Sequence, residues 1–234
     1  SFYYFGINKE IMGKFKVRCN DDIILNCLNH NGSILIYTTK ASIYNKSVIK
    51  EFSKYIEACE EIQDEAAKNL IEEIKRYIGA TNKENDEYKS LMVDMLYRGI
   101  VVHHGSMPLR VRQLLEKFTN LRYCRICFAT STLEQGINMP FDIVYINTFQ
   151  ESEPLAIKNL IGRAGRSSEN KKFDFGYVIV KQNNMSQLRN VLNSPNELDT
   201  VSNLDKEILN DDYRDFKTAI KKGTFSDEYN LTNK

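Results

Sequence analysis

The chain has 234 residues, enough to bury a sizeable core, and its 32 lysines and arginines nearly balance its 31 aspartates and glutamates. That balance argues neither for nor against a nucleic-acid partner, and no apolar run approaches the roughly 20 residues that span a bilayer, nor does a signal-peptide pattern open the chain. Five cysteines, an odd number without framework spacing, point to reduced thiols and a cytoplasmic, intracellular setting.

In chain order, DDIILNCLNH (21–30) is the first predicted helix, with Asp21 or Asp22 as its N-cap. ILIYT (34–38) follows as a strand. From about Ser42 to Ile78, apolar residues recur at helical spacing with few breakers. A polar break at GATNKEND precedes a shorter helix near EYKSLMVDMLYRG. GIVVHH (99–104) is a strand, and Pro108 suits the first turn of a helix through PLRVRQLLEKF. RICFAT (125–130), DIVYINT (142–148) and GYVIVK (176–181) complete the strand set, and NLIGR (159–163) begins as an apolar helix. After Lys181 only helical stretches follow, at NNMSQLRNVLNSP and DKEILNDDYRDFKTAIKKG.

Nearly continuous apolar strands alternating with helices predict an α/β fold with a mainly parallel sheet. The run from about 42 to 98 is long for one crossover, so an inserted helical hairpin is expected there. Residues 1–182 are expected to form one domain, and 183–234 a helical extension or the start of a further domain.

In an open parallel sheet, ligands bind beyond the carboxyl ends of the strands. TTKAS, HHGSMP, TSTLEQGINMP and GRAGR are all expected at that one edge. In GRAGR, Arg163 and Arg166 present donor forks suited to phosphate oxygens, and Gly162 and Gly165 permit close backbone approach. The spacing brings the two guanidinium groups together if the helix continues that far; a plain helix C-terminus explains GRAGR as well. Thr130, Ser131 and Thr132 open a short helix, where hydroxyls and free N–H groups suit phosphate but also serve simple capping. Asn138 is placed to meet a sugar hydroxyl.

Other features carry less. Cys124 and Cys127 form a CxxC within a strand-like stretch, where positions three apart are expected on opposite faces as core packing. Asp64 and Glu65 of DEAA lie in a helical run and are expected on a solvated face. Of His103 and His104, one is expected to pack inside and the other to reach the loop.

In this order and spacing, ATSTLEQGINMP followed by NLIGRAGR resembles motifs V and VI of superfamily 2 helicases, closest to the superkiller-type DExH branch. HHGSMP resembles the HHG segment upstream of motif V, and ILIYTTKAS the motif IV region, so the resemblance covers about residues 30–182. It implies a three-layer RecA-like domain, the second of two that form an ATP cleft, with single-stranded DNA or RNA running across both. By that resemblance Arg163 and Arg166 are arginine fingers toward ATP. Gly136, Asn138, Asn159 and Gly162 would border the nucleotide, and Thr38, Thr39, His104, Gly105, Thr130 and Thr132 would face the nucleic-acid backbone. Asn159 departs from the family's glutamine at the start of motif VI.

No GxxxxGK[ST] loop is present, and no metal ligands are assigned in this chain. With a first residue that is Ser1 rather than Met, the expectation is a piece of a longer protein. ATP and Mg2+ would then belong to the full-length protein, beside an N-terminal RecA-like domain of the same polypeptide, and this piece alone would be inactive and bind neither tightly. No membrane partner is expected. The competing expectation is a non-catalytic module that keeps a helicase-like fold to bind nucleic acid or a partner.

Overall fold

The computed structural model describes residues 2–3, 18–19, 22–80, 90–130, 139, 141–149, 154–165 and 176–194. Two short strands, β1 (Phe2–Tyr3) and β2 (Arg18–Cys19), pair antiparallel. The main sheet has five strands: β3 (Ile34–Tyr37), β4 (Ile100–His103), β5 (Ile126–Ala129), β6 (Ile143–Ile146) and β7 (Tyr177–Val180). Their order is β4-β5-β3-β6-β7, and every neighbouring pair is parallel. This is the α/β architecture with a parallel sheet expected from the alternation of strands and helices, and it fits the RecA-like domain that the resemblance implies.

Parallel strands covered on both faces need apolar side chains at every position, and β3, β4 and β5 are buried throughout. One face packs under α5 (Glu65–Ile78), α6 (Leu91–Leu96), α7 (Leu109–Asn120), α8 (Pro154–Ile161) and α9 (Met185–Asn193). The other packs under α1 (Ile23–Asn29), α2 (Lys40–Tyr44), α3 (Ser47–Glu51) and α4 (Ser53–Glu57). Helix α5 buries Ala67, Leu70, Ile71 and Ile74, and α7 buries Val111, Leu114, Leu115 and Phe118, the same i, i+3, i+4, i+7 stripe in both. Each such side chain contributes about 1.5–3 kcal/mol by leaving water. Helix α9 packs against α8, within the compact unit that runs from Ser1 to Ser194.

Among the described residues the long crossover holds five helices, α2 to α6. The helical run expected from 42 to 78 is interrupted three times, the shortest break being Phe52 between α3 and α4. Lys46 adopts a left-handed φ of 61° between α2 and α3, and residues 58–64 leave the helix before α5. Asp64 is therefore the N-cap of α5, accepting from the Ala67 N–H at 2.9 Å, rather than part of a helix face. At the other end Gly79, with φ 66°, closes α5. The acidic helix is held against α7 and its neighbours by Arg110–Glu73 at 3.0 Å and by the Tyr97 hydroxyl donating to Glu72. Pro108 stands one residue outside α7 as its N-cap, not in its first turn. The helix expected at 205–223 lies outside the described residues.

Candidate functional site

The strands end level. Tyr37 stands opposite Ala129 and Ile146, and His103 opposite Ala129. Val180 likewise stands opposite Ile146, so the residue after each strand falls in one row at the carboxyl edge: Thr38, His104, Thr130, Asn147 and Lys181. Three of them extend the ladder by one more bond: Thr38 N to Ala129 O at 2.9 Å, Thr130 N to His103 O at 3.2 Å, Asn147 N to Tyr37 O at 3.0 Å. The loops TTKAS and HHGSMP and the start of TSTLEQGINMP are thus brought together as expected.

Within this row the side chains divide between fold and solvent. Thr38 is only 1% exposed, and its hydroxyl accepts from the Asn147 amide at 3.5 Å. Thr130 is also buried. Thr39 is half-buried and caps α2, its hydroxyl accepting from Ser42 N at 3.1 Å. His103 and His104 divide as alternation requires, His103 fully buried and His104 half-buried beside Gly105. Burial pushes the His103 pKa down to about 4, helped by the positive charge of Arg112 and by His104. His103 is therefore neutral, so Glu116, whose carboxylate lies 3.9 Å away, forms no ion pair with it. His104 is held below the ordinary histidine range by burial and by Lys40.

Three neighbours in these loops escaped the sequence reading: Lys40, Tyr44 and Ser106. Lys40 donates to the Ser106 hydroxyl and ties the loop after β3 to the loop after β4. No pattern in the sequence links residues so far apart. Asn147 also escaped, although its place directly after a strand was a usable signal.

The GRAGR segment does not share this edge, contrary to expectation. Helix α8 follows β6 and returns along the sheet, and its eight residues rise about 12 Å, close to the length of a four-residue strand. Its C-terminus thus reaches the opposite, amino edge. There Ala164 forms a parallel bridge with Phe141, just ahead of β6. Phe141 N donates to Arg163 O at 3.4 Å, and Gly165 N donates to Phe141 O at 2.8 Å. Gly165 has a φ of 74°, and a Cβ on Gly176 would stand 2.4 Å from the Ala164 carbonyl carbon. Two glycines make this backbone contact possible.

Nor does the helix carry on through the arginines. It ends at Ile161, and the next turns tighten to Arg163 N–Leu160 O and Ala164 N–Ile161 O. Helical spacing is therefore not what relates Arg163 to Arg166. Asn159 and Gly162 are exposed at this helix end, and Arg163 is half-buried. Arg166, Thr132, Gly136 and Asn138 lie outside the described residues. The stretch holding Gly136 and Asn138 is nonetheless bracketed by Thr130 at one edge and Phe141 at the other.

Cys124 and Cys127 pack in the core as expected, but not on opposite faces. The strand begins only at Ile126, so alternation does not extend back to Cys124. Both thiols enter the same core, where the Cys127 thiol hydrogen-bonds Cys124 and is held well above the ordinary thiol range by that bond and by burial. Among the described residues, no group of three or more His, Cys, Asp or Glu side chains could hold a metal ion, and no helix is long and apolar enough to cross a membrane.

Residues 65–168 match the helicase conserved C-terminal domain family. Over 95 residues the chain is 34% identical to the Hachiman protein HamB of Bacillus cereus, covering 38% of this chain and 8% of that protein. Over 87 residues it is 32% identical to the ATP-dependent DNA helicase Hel308 of Thermoplasma volcanium, covering 34% and 13%. Over 81 residues it is 33% identical to the antiviral helicase SKI2 of Saccharomyces cerevisiae, covering 31% and 6%. The chain thus spans a small part of the length of each relative.

Proposed function

We propose that this chain, which carries a superfamily 2 helicase C-terminal domain of the superkiller-type branch, is the second motor domain of an ATP-dependent nucleic-acid helicase or translocase. One arrangement carries the reading. Hydroxyl- and histidine-bearing loops stand at one edge of the sheet and the glycine–arginine turn at the other. A motor that couples nucleotide chemistry to grip needs two sites with a short physical link.

At the carboxyl edge, Thr39, His104 and Gly105 hold the backbone of single-stranded DNA or RNA, with the buried Thr38 and Thr130 supporting them from beneath, and Thr132 joins in the same contact. Contacts to phosphate and sugar are indifferent to sequence, as a translocating motor requires. Arg163, at the amino edge, and Arg166 reach ATP held by the N-terminal RecA-like domain of the same polypeptide, and Gly136, Asn138, Asn159 and Gly162 border that nucleotide. The glycines leave room for phosphate to approach backbone, and guanidinium forks stabilise charge growing on the transferring phosphoryl group. Bound ATP supplies that group. Metal ligands are assigned to the first domain, and this chain alone is inert.

The test is ATP hydrolysis by the full-length polypeptide, with and without single-stranded DNA or RNA, beside its Arg166→Ala variant. Stimulation by nucleic acid and a loss on the order of a thousandfold in the variant are expected. Equal inertness of both proteins with both polymers would transfer the assignment to a non-catalytic binding module.

A further inference from the structure

The carboxyl edge also carries an exposed aromatic ring. Tyr44, the last residue of α2, is 61% exposed. The ring is nevertheless held. The His104 ring lies against it with centroids 5.5 Å apart and planes tilted by 51°. The Lys40 ammonium stands 5.6 Å from its centroid and also donates to Ser106. Side chains from the loops after two different strands thus fix one face region of the ring and leave the rest to solvent.

Leaving so large an apolar surface in water forfeits burial energy. A ring both exposed and steadied is already arranged for a flat partner, because little side-chain freedom is lost when that partner binds. The surrounding charge indicates which partner. From Thr38 to Lys50 the chain carries Lys40, Lys46 and Lys50 with no aspartate or glutamate, and Lys40 is the cation that stands over the ring. A basic surface with one stacked aromatic suits a polyanion that presents flat π-faces, as an unpaired nucleobase does. A duplex hides those faces. An apolar protein segment has no use for the lysines, and an acidic one has none for the ring.

Resting on the reading that this edge faces single-stranded nucleic acid, we propose that Tyr44 is a base-stacking platform, steadied by His104 and Lys40, for an unpaired base of DNA or RNA. The row of hydroxyls and backbone groups follows the phosphates, and Tyr44 takes one base as the strand crosses.

Fluorescence anisotropy with the full-length protein tests this, using labelled oligo(dT), oligo(rU) and an abasic oligonucleotide of equal length. The wild type binds the two base-bearing strands more tightly than the abasic one. Tyr44→Ala weakens binding of oligo(dT) and oligo(rU) roughly tenfold, within the range for loss of one aromatic stack, and leaves abasic binding unchanged. Tyr44→Phe retains the wild-type preference. A larger loss with one polymer than the other identifies the strand whose bases reach the ring. If Tyr44→Ala matches the wild type on all three strands, or loses all three equally, the platform is wrong and the ring serves a protein partner or the fold. If the wild type binds none of the three, the motor reading itself fails, and the platform with it.

Discussion

The two edges of the sheet are built by different means. At the carboxyl edge, strands in strict register deliver a level row of residues, and side chains carry the chemistry: Thr39 capping a helix, His104 against Tyr44, Lys40 against Ser106. At the amino edge, backbone carries it. Ala164 lies against Phe141, Gly165 turns with a positive φ, and Gly176 lets the chain pass within contact of Ala164. Asp142, 5% exposed, anchors the same region by accepting from the Ser33 N–H at 2.8 Å. The contrast sets what each edge tolerates. An exposed side chain at the carboxyl edge is exchanged with little cost to the fold, whereas at the amino edge one added methyl displaces main chain.

Gly176→Ala tests this most severely. Its Cβ would meet the Ala164 carbonyl carbon and oxygen at 2.4 and 2.5 Å, and backbone has little room to give. A loss of roughly 1–3 kcal/mol is expected, or a Tm lower by several degrees, with ATP hydrolysis impaired more than nucleic-acid binding. An unchanged melting curve would mean that the amino edge is looser than these contacts require.

His103 probes what lies beneath the carboxyl row. Its folded pKa, about 4, is below the ordinary 6.5, so only the unfolded chain takes up the proton between those values. Stability from this group is complete above about pH 6.5 and is lost as pH falls toward 4. At about 1.4 kcal/mol per pKa unit the loss is on the order of 2–3 kcal/mol. Urea titrations at pH 7, 5.5 and 4.5 measure it, and His103→Leu should flatten this part of the profile. An equal slope in the variant would assign the pH dependence elsewhere.

Thr39→Ala should have the smallest effect on the fold. It removes the cap of a five-residue helix, about 1 kcal/mol at most, and so shifts Tm by only a few degrees. Single-strand affinity should fall more clearly than Tm. The reverse balance would make Thr39 a structural residue alone.

The strands were legible because burial on both faces demands unbroken apolar runs, and all five lie within the stretches anticipated for them. The carboxyl row followed, since a motif directly after a strand can lie only at that end. GRAGR was misplaced for the complementary reason: it follows a helix, and eight residues of helix carry the chain back across the sheet. Lys46 and Cys124 show a second limit. One residue in the left-handed region divides a periodic run, and a strand that begins only at Ile126 leaves Cys124 outside the alternation, so its thiol joins the same core as Cys127. The Lys40–Ser106 and Tyr44–His104 contacts join loops some sixty residues apart, and tertiary structure alone reveals them.

The division of labour between the edges is tested most directly by ATP hydrolysis in the full-length protein across a titration of single-stranded nucleic acid, comparing Arg163→Ala with His104→Ala. The account predicts that Arg163→Ala loses kcat by on the order of a thousandfold while its affinity for the strand is kept. His104→Ala should need more nucleic acid for half-maximal stimulation yet reach the wild-type kcat at saturation. Wild-type turnover in Arg163→Ala, or equal loss of both parameters in both variants, would contradict it.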